Sequence, residues 1–145
     1  MLEFKQTTLQ TTDLANFNLL FLQAYRNVRN HTENALKLKK FTVENWLILI
    51  ALCDYQKGIT LSDLGHLLGM QLSGLSKNID RLSKRALLYR QQDIKDRRKV
   101  LLFISDFGRE TLEDIEKSLL DQDNWLYRRL DREKIFQLKN LLNEL

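Results

Sequence analysis

The hydrophobic positions of this chain recur mostly at the three- and four-residue steps of amphipathic helices. The first such stretch starts at Asp13, and neither proline nor glycine interrupts the chain before Gly58. The pattern therefore predicts a long first helix. Its apolar surface is wider than one stripe, which favours burial against more than one partner, a second subunit among them. The residues that widen this surface are Leu19, Leu20, Leu22 and Tyr25.

A nearly continuous apolar run from Trp46 to Cys53 has two interpretations, a buried strand or a core helix. Thr42 is a suitable N-cap for a helix from Val43 to about Tyr55, because its hydroxyl can accept a hydrogen bond from a free backbone amide. The length of the run, this cap and the helical patterns on both sides favour the core helix.

Two short helical patterns then follow in tandem, joined by a tight turn at Gly69 and Met70. Thr60 or Ser62 is the expected cap of the first. The arrangement is typical of a helix-turn-helix, in which the second helix, here at about residues 71–84, lies in the major groove of DNA. The apolar residues that define the two helices are Leu61, Leu64, Leu67 and Leu68, then Leu72, Leu75, Ile79 and Leu82.

Two apolar runs at residues 87–89 and 100–104 predict short strands on either side of a charged loop at 91–99. This wing, at about residues 88–104, is followed by Ser105, a good N-cap for the next helix. A last helix is expected from Asp131, and it is too apolar to remain solvated. The apolar positions of the helix after Ser105 are Leu112, Ile115, Leu119 and, by extension, Leu126.

Charge is unevenly distributed along the chain, although the net charge is only +4. Between Gln71 and Lys99 nine basic residues stand against three acidic ones, whereas the segment from Ser105 onward has seven basic and ten acidic residues. A basic middle beside an acidic end is the electrostatic footprint of a site for polyanions. The alternative is a solvated face that happens to be basic.

Composition narrows the function classes. The sequence contains neither a long apolar run nor a secretory signal, so a cytoplasmic location is expected. The single cysteine and two histidines form no metal-binding pattern. Ser/His/Asp sets and phosphate-cradling glycine loops are also missing, which argues against an enzyme and against a bound cofactor.

The outward face of the second short helix suits DNA recognition. Lys77 and Arg81 lie one turn apart, so one can reach base edges while the other meets a phosphate. Gly74 costs roughly 1 kcal/mol relative to alanine in a helix, which indicates a close backbone approach, plausibly to DNA. A neutral accident and packing against a neighbouring helix are the alternatives. The residues predicted to contact DNA are Ser62, Ser73, Gly74, Ser76, Lys77, Arg81, Lys95, Arg97 and Arg98.

The wing carries the remaining chemistry. An arginine at its tip can enter the narrow minor groove of an A·T-rich flank, where the negative potential is strong. Asp96 would repel phosphate if it faced DNA, so it is expected to pair with a neighbouring arginine and orient it. An ordinary solvated hairpin tip is the alternative for these arginines.

The ordered set of motifs resembles the MarR/SlyA family of bacterial transcription regulators over nearly the whole chain. The matching pieces are Phe41-Thr42-x3-Trp46, Ile59-Thr-Leu-Ser-Asp-Leu-Gly-His-Leu-Leu-Gly69, Asp80-Arg81-Leu82-x2-Arg85, and Asp96-Arg97-Arg98 followed by Val100 to Ser105 and Gly108. The sequence departs from the family at two positions. Ala86 stands where glycine is usual before the first wing strand, and Gly74 stands where a hydroxyl or larger residue is common.

The resemblance implies a mainly α fold with a small β-wing in a single domain, residues 1–145. Residues 1–40 and 106–145 would form dimerisation helices, and residues 41–105 a winged helix-turn-helix lobe. It further implies a homodimer on double-stranded DNA, at a pseudo-palindromic operator. With the basic helix face and wing, the leading hypothesis is a repressor. The operator sequence, the regulated genes and the sign of regulation are not in the sequence.

In many members a small aromatic or phenolic effector binds between the dimerisation helices and the DNA lobe. Phe21, Tyr25, His31, Trp46 and Phe107 are candidates to line such a site, and core packing is the alternative explanation for them. Two further readings stay open. One is a winged-helix adaptor that binds an acidic protein. The other is control through oxidation of Cys53, although this cysteine has no evident cationic neighbour in the sequence and resembles a small buried hydrophobe.

Overall fold

The structure is a computed structural model that describes residues 10–121 and 125–145. Parts of the two predicted dimerisation segments, residues 1–9 and 122–124, lie outside the described residues. The helices are α1 (Gln10–Lys37), α2 (Val43–Asp54), α3 (Leu61–Leu68), α4 (Leu72–Lys84), α5 (Asp106–Asp121), α6 (Trp125–Arg129) and α7 (Arg132–Asn143); the strands are β1 (Ile59–Thr60), β2 (Leu88–Gln92) and β3 (Val100–Ile104). The predicted mainly α fold with a small β-wing is confirmed.

Helix α2 lies at the centre of the core, and its predicted start is confirmed. Thr42 is its N-cap and accepts a hydrogen bond from the backbone amide of Asn45. Ile48, Leu49 and Leu52 are buried, which explains the near-continuous apolar run. The run belongs to a helix because the cap fixes where helical geometry begins.

Helices α3 and α4 form the predicted helix-turn-helix. Thr60 is the N-cap of α3, and Gly69 ends α3 in the left-handed conformation at φ +62°. Glycine suits that position because it has no Cβ to clash with the backbone. Leu72, predicted as part of the apolar face, is half exposed because it packs over Gly65 at the edge of α3 rather than within the core.

The wing is the three-stranded antiparallel sheet, in the order β1-β3-β2. Leu88 pairs with Ile104 at the base, and Gln92 pairs with Val100 near the tip. The strand β2 continues to Gln92, so the prediction of a loop from residue 91 was wrong by two residues. Backbone pairing with β3 extends β2 even though its outer residues are exposed and polar.

Two elements were not predicted from the sequence. Strand β1 has only two residues and pairs with β3, Ile59 opposite Leu102. Helix α6 has five residues and contains Leu126. The sequence pattern predicted Leu126 at the far end of the helix that follows Ser105. Helix α5 is described as far as Asp121, and residues 122–124 lie outside the described residues, so the extension to Leu126 stays a prediction. Both elements are shorter than the window over which hydrophobic periodicity can be recognised.

Ser105 caps α5, as predicted, and does more. Its Oγ accepts a hydrogen bond from the Gly108 amide at 2.9 Å and donates one to the carbonyl oxygen of Ala86 at 2.6 Å. Ala86 has φ +58°, a left-handed conformation that side chains rarely adopt. Ser105 therefore joins the start of α5 to the turn that leads from α4 into the wing.

Helices α1 and α7 leave large apolar side chains in solvent. On α1 these include Leu14 and Leu20, each 65% exposed, and on α7 they include Phe136, also 65% exposed. The exposed face of α1 continues through Phe17, Phe21 and Tyr25 to Val28. Apolar surface of this extent is unusual for a protein that works as a lone chain.

Candidate nucleic-acid interface

The outward face of α4 is available to a ligand along its whole length. Its inner residues Leu75, Ile79 and Leu82 are fully buried, which fixes the rotation of the helix. On the opposite face Ser73, Gly74, Lys77 and Arg81 are exposed, and Ser76 is partly buried beside them. The structure thus brings the five residues predicted on this helix onto one side.

The N-terminus of α4 is open. Its N-cap residue, Gln71, makes no side-chain hydrogen bond to the helix, whereas Thr42, Thr60 and Asp131 cap α2, α3 and α7. The first backbone amides of an α-helix have no partner inside the helix, and they carry partial positive charge. An exposed, uncapped start beside Ser73 is suited to a phosphate oxygen.

Gly74 is not required by the packing of the chain. A Cβ built on it would meet no atom within 4 Å among the described residues, and its backbone φ is not in the left-handed region. The alternative of packing against a neighbouring helix of the same chain is therefore wrong. Close approach to an external ligand and neutral accident remain as the two explanations.

Ser62 is exposed on α3 and lines a shallow groove that Gln71 and Leu72 also line. The groove runs between α3 and the first turn of α4. Ser62 therefore lies near the open N-terminus of α4, although it belongs to α3.

The loop between β2 and β3 exposes cations, and the carboxylates beside them accept hydrogen bonds from within the loop. Asp96 accepts hydrogen bonds from the backbone amide and the Nε of Arg98, both at 3.1 Å. These bonds lower the pKa of Asp96, chiefly through the Arg98 side chain. The predicted pairing of Asp96 with an arginine is present, and Lys95, Arg97 and Arg98 are all exposed.

An ion pair links α4 to the wing. Arg90 of β2 donates to Asp80 of α4, with Nη2 2.7 Å from Oδ1. At the end of the same helix the Arg85 guanidinium lies 4.4 Å from the centre of the Phe41 ring. Arg90 was not predicted as part of the site, because a pair between a helix and a strand leaves no periodic signal.

A second feature is a cavity of about 370 Å³ between α1, α2, α5 and α6. His31 and Trp46 line it, and the His31 ring stacks on Trp125 at 4.2 Å between centroids. The indole Nε1 of Trp46 is buried and has no hydrogen-bond partner among the described residues. Of the other predicted ligand-binding residues, Phe21, Tyr25 and Phe107 are about half exposed and do not line this cavity.

A charged network joins α1 to α2. Arg29 donates to Glu44 of α2, to Glu33 one turn along α1 at 2.8 Å, and to the Tyr25 hydroxyl oxygen at 3.3 Å. The hydrogen bond from Arg29 lowers the pKa of Glu44, and its bond to Glu44 raises the pKa of Arg29. The network was not predicted, since Arg29 and Glu44 belong to different helices.

Cys53 has a cationic neighbour that the sequence did not reveal. The Nη1 of Arg109, in α5, lies 3.4 Å from the Sγ of Cys53 in α2. Both residues line a cavity of about 270 Å³. The interpretation of Cys53 as lacking such a neighbour was wrong, because Arg109 is 56 positions away along the chain.

In residues 10–121 and 125–145, no three His, Cys, Asp or Glu side chains converge in a way that would hold a metal ion. Nor does any helix in these two ranges have the length and hydrophobicity needed to span a membrane.

Residues 40–99, which contain the helix-turn-helix and most of the wing, match the sequence model of the MarR family. A curated relative, the HTH-type transcriptional regulator FarR of Neisseria gonorrhoeae, is 26% identical over 131 residues, which cover 90% of this chain and 89% of FarR.

Solved structures share the fold. The transcriptional regulator BldR from Sulfolobus solfataricus superposes with a TM-score of 0.78 at 21% identity, covering 95% of this chain and all of BldR. A variant of MarR from E. coli, complexed with operator DNA, superposes with a TM-score of 0.76 at 19% identity, covering 94% of this chain and 98% of that one. At this level of identity the likeness concerns the arrangement of helices and wing.

Proposed function

Because the family model and the curated relative point to the MarR family and the solved structures share its fold, we propose that this chain is a winged-helix transcription regulator. It binds double-stranded DNA as a homodimer, at a pseudo-palindromic operator, and represses transcription there. Helix α4 reads the major groove, and the wing contacts the adjacent minor groove.

The exposed face of α4 is the observation that carries this proposal. An uncapped helix start, two small residues and then two cations lie in order along one face, next to a wing whose acidic side chains are already paired. Free amides and Ser73 suit phosphates, while Lys77 and Arg81 suit base edges and phosphates. The neighbouring MarR structure with operator DNA agrees with this use of the fold.

The exposed apolar faces of α1 and α7 support the proposed dimer. Each helix exposes several large hydrophobic side chains, and burial of such side chains is worth about 1.5–3 kcal/mol each. A second copy of the chain would cover both faces, and a two-fold axis would place two α4 helices on two half-sites.

Leu20 offers a test. Because it is 65% exposed, Leu20→Glu leaves the core intact and should convert the dimer to a monomer in light scattering; a dimer of unchanged affinity would contradict this interface.

DNA binding is tested by footprinting on the sequence that flanks the protein's own gene, followed by a salt titration. Affinity should fall steeply with salt because each neutralised phosphate releases counterions. The Lys77→Gln/Arg81→Gln variant should lose binding, whereas Lys117→Gln, at an exposed cation of α5, should keep it. A flat salt dependence would overturn the proposal. If the double variant lost duplex binding but retained a protein partner, the partner contact would lie elsewhere on the chain.

The wing role has its own test. Arg98→Ala should weaken binding more strongly when the half-sites are flanked by A·T-rich sequence, because a narrow minor groove has the more negative potential. Side-by-side titrations of two duplexes that differ only in the flanks measure this. Equal losses on both would remove Arg98 from the minor groove.

The 370 Å³ cavity is the proposed effector site, and it would take a small aromatic or phenolic acid. His31, Trp46 and Trp125 supply aromatic walls between the dimerisation helices and the DNA lobe. With 4-hydroxybenzoate as the probe, tryptophan fluorescence should change on binding, and DNA should be released. Wild-type protein that neither changes fluorescence nor releases DNA at millimolar probe would exclude this ligand class.

A second mode of control is favoured by the contact between Arg109 and Cys53. A peroxide would oxidise the thiol to a sulfenic acid, with one oxygen transferred to sulfur and the other leaving as water. The protein with Cys53→Ser is the control. Peroxide should release DNA from the wild type and not from this variant, and equal responses would exclude Cys53 as the sensor.

A further inference from the structure

Ile94 is the most exposed large hydrophobic side chain among the described residues, at 89% of its surface. It lies in the loop between β2 and β3, away from the apolar faces of α1 and α7. A solvated isoleucine contributes nothing to folding, whereas burial of one is worth about 1.5–3 kcal/mol. Ile94 is therefore a candidate for burial against a partner.

Hydrogen bonds within the loop hold Ile94 in one position. The Asp93 amide donates to the carbonyl oxygen of Lys99, and the Lys99 amide donates to that of Asp96, each at 2.9 Å. The Asp93 carboxylate accepts the amide of Lys95 at 2.8 Å, which closes the turn around Ile94. The side chain is thus displayed on a defined turn.

The charges around Ile94 select the kind of partner. Both acidic residues of the loop are used inside it, Asp93 by the Lys95 amide and Asp96 by Arg98. The charged side chains of the loop that are exposed are cations, namely Lys95, Arg97, Arg98 and Lys99, whereas Asp93 and Asp96 are partly buried. An apolar tip among cations fits a minor groove, which has sugar walls and bases at its floor and phosphates along its rims. An acidic protein surface would satisfy the cations and leave the isoleucine unexplained.

We propose that Ile94 is an apolar wedge that enters the minor groove beside each half-site and favours operators with a flexible pyrimidine–purine step at that point. Proteins that bind the minor groove often insert isoleucine, leucine or phenylalanine at such steps, because TA and CA steps unstack at low cost. The inference rests on the proposed DNA-binding function. It adds sequence preference from an uncharged residue, at a position that no hydrogen bond reads.

The test compares Ile94→Ala with the matched neighbour Lys95→Ala, using two duplexes that share the footprinted half-sites. One duplex has a TA step under the wing and the other has AA, so that A·T content is constant. Because AA also narrows the minor groove, the wedge is measured as the ratio of wild-type to Ile94→Ala affinity on each duplex, in which the arginine contribution cancels. Because both side chains are exposed, neither variant should change the thermal midpoint. Dissociation constants are measured at several salt concentrations.

For the TA duplex, Ile94→Ala should weaken binding about tenfold, with an unchanged salt slope, and the preference for TA over AA should disappear. Lys95→Ala should weaken binding to both duplexes equally and reduce the salt slope by about one per wing. A 2-aminopurine beside the TA step should brighten with the wild type and not with Ile94→Ala. Suppose that wild type binds, and that Ile94→Ala either binds both duplexes as tightly as wild type or loses the same affinity on both. The wedge is then refuted, and the proposed DNA-binding function is not. If wild type binds neither, the proposed function falls with it.

Discussion

Replacing Gly74 by alanine should stabilise the protein and weaken its binding to DNA. Gly74 is the third residue of α4, exposed, in ordinary helical geometry, and a Cβ there meets no described atom within 4 Å. Glycine in an exposed helix costs about 0.5–1 kcal/mol relative to alanine, less near the end than in the middle. We therefore expect the free energy of unfolding to rise by about 0.5 kcal/mol, or the midpoint by about 2 °C.

The opposite sign is expected for DNA affinity. If the backbone of α4 lies against the sugar-phosphate chain, the new methyl group has no room, and misplacing one recognition helix costs about 1–3 kcal/mol, the value of a mismatched base pair. Fluorescence anisotropy with the footprinted operator should show a complex that is weaker by about 5- to 150-fold. Because the variant is the more stable protein, the loss cannot be attributed to unfolding.

Gly69→Ala is the matched control. Its Cβ also meets no described atom, but its φ of +62° disfavours any side chain, so this variant should be less stable, by about 1 kcal/mol. Both positions have open space for a methyl group, but only Gly69 has a strained backbone for alanine. A difference in stability between the two variants therefore measures the backbone strain. A Gly74→Ala protein that is more stable and binds the operator as tightly as wild type would refute the close approach and leave Gly74 a neutral accident.

Three further substitutions test the scaffold by thermal or urea unfolding. Gly108→Ala should destabilise by about 2–3 kcal/mol or more, since its Cβ would lie 2.0 Å from the carbonyl oxygen of Leu87; an unchanged midpoint would contradict the close packing of α5 on the wing. Ala86→Gly should stabilise by about 0.5–1 kcal/mol, because it relieves a φ of +58°, and a loss of stability would show that the turn is not strained. Glu44→Gln should cost about 1 kcal/mol at pH 7. The Arg29 hydrogen bond lowers the pKa of Glu44, so this stability is present above the ordinary carboxyl pKa of 4.5 and is lost as pH falls through the lower folded value. A gap between Glu44→Gln and wild type that did not begin to shrink as the pH fell below 4.5 would contradict the pairing.

Features governed by neighbours in the sequence were predictable. The cap of α2 depends on Thr42 and an amide three residues later, and the arginine pairing of Asp96 spans two residues. The helix-turn-helix follows in the same way from the leucine spacing and the turn glycine. In each case the sequence contains both partners within one helical turn or one loop, so that local rules are sufficient.

Contacts between distant elements were not predictable. Arg29 meets Glu44, and Arg109 meets Cys53, only after helices pack against one another. Strand β1 exists because Ile59 reaches Leu102 across the sheet, and two residues leave no pattern of their own. The ligand candidates show the same limit. The sequence listed aromatic residues of α1 together, whereas helical rotation puts His31 in the cavity and leaves Phe21 in solvent.

These contacts between distant elements connect the chain at two places, one between α4 and the wing and one between α1 and α2. Helix α4 and the wing are joined by the ion pair of Asp80 with Arg90 and by the Ala86 turn, whose carbonyl oxygen accepts the Ser105 hydroxyl. The contact between α1 and α2 is the joint between the dimerisation helices and the DNA lobe, and it includes the pair of Arg29 with Glu44. The 370 Å³ cavity also lies between these two helices. In a dimer built on α1 and α7, the distance between the two α4 helices would then depend on the angle at this joint. Under the proposed function, a molecule in the cavity would change the spacing of the two α4 helices without touching either of them.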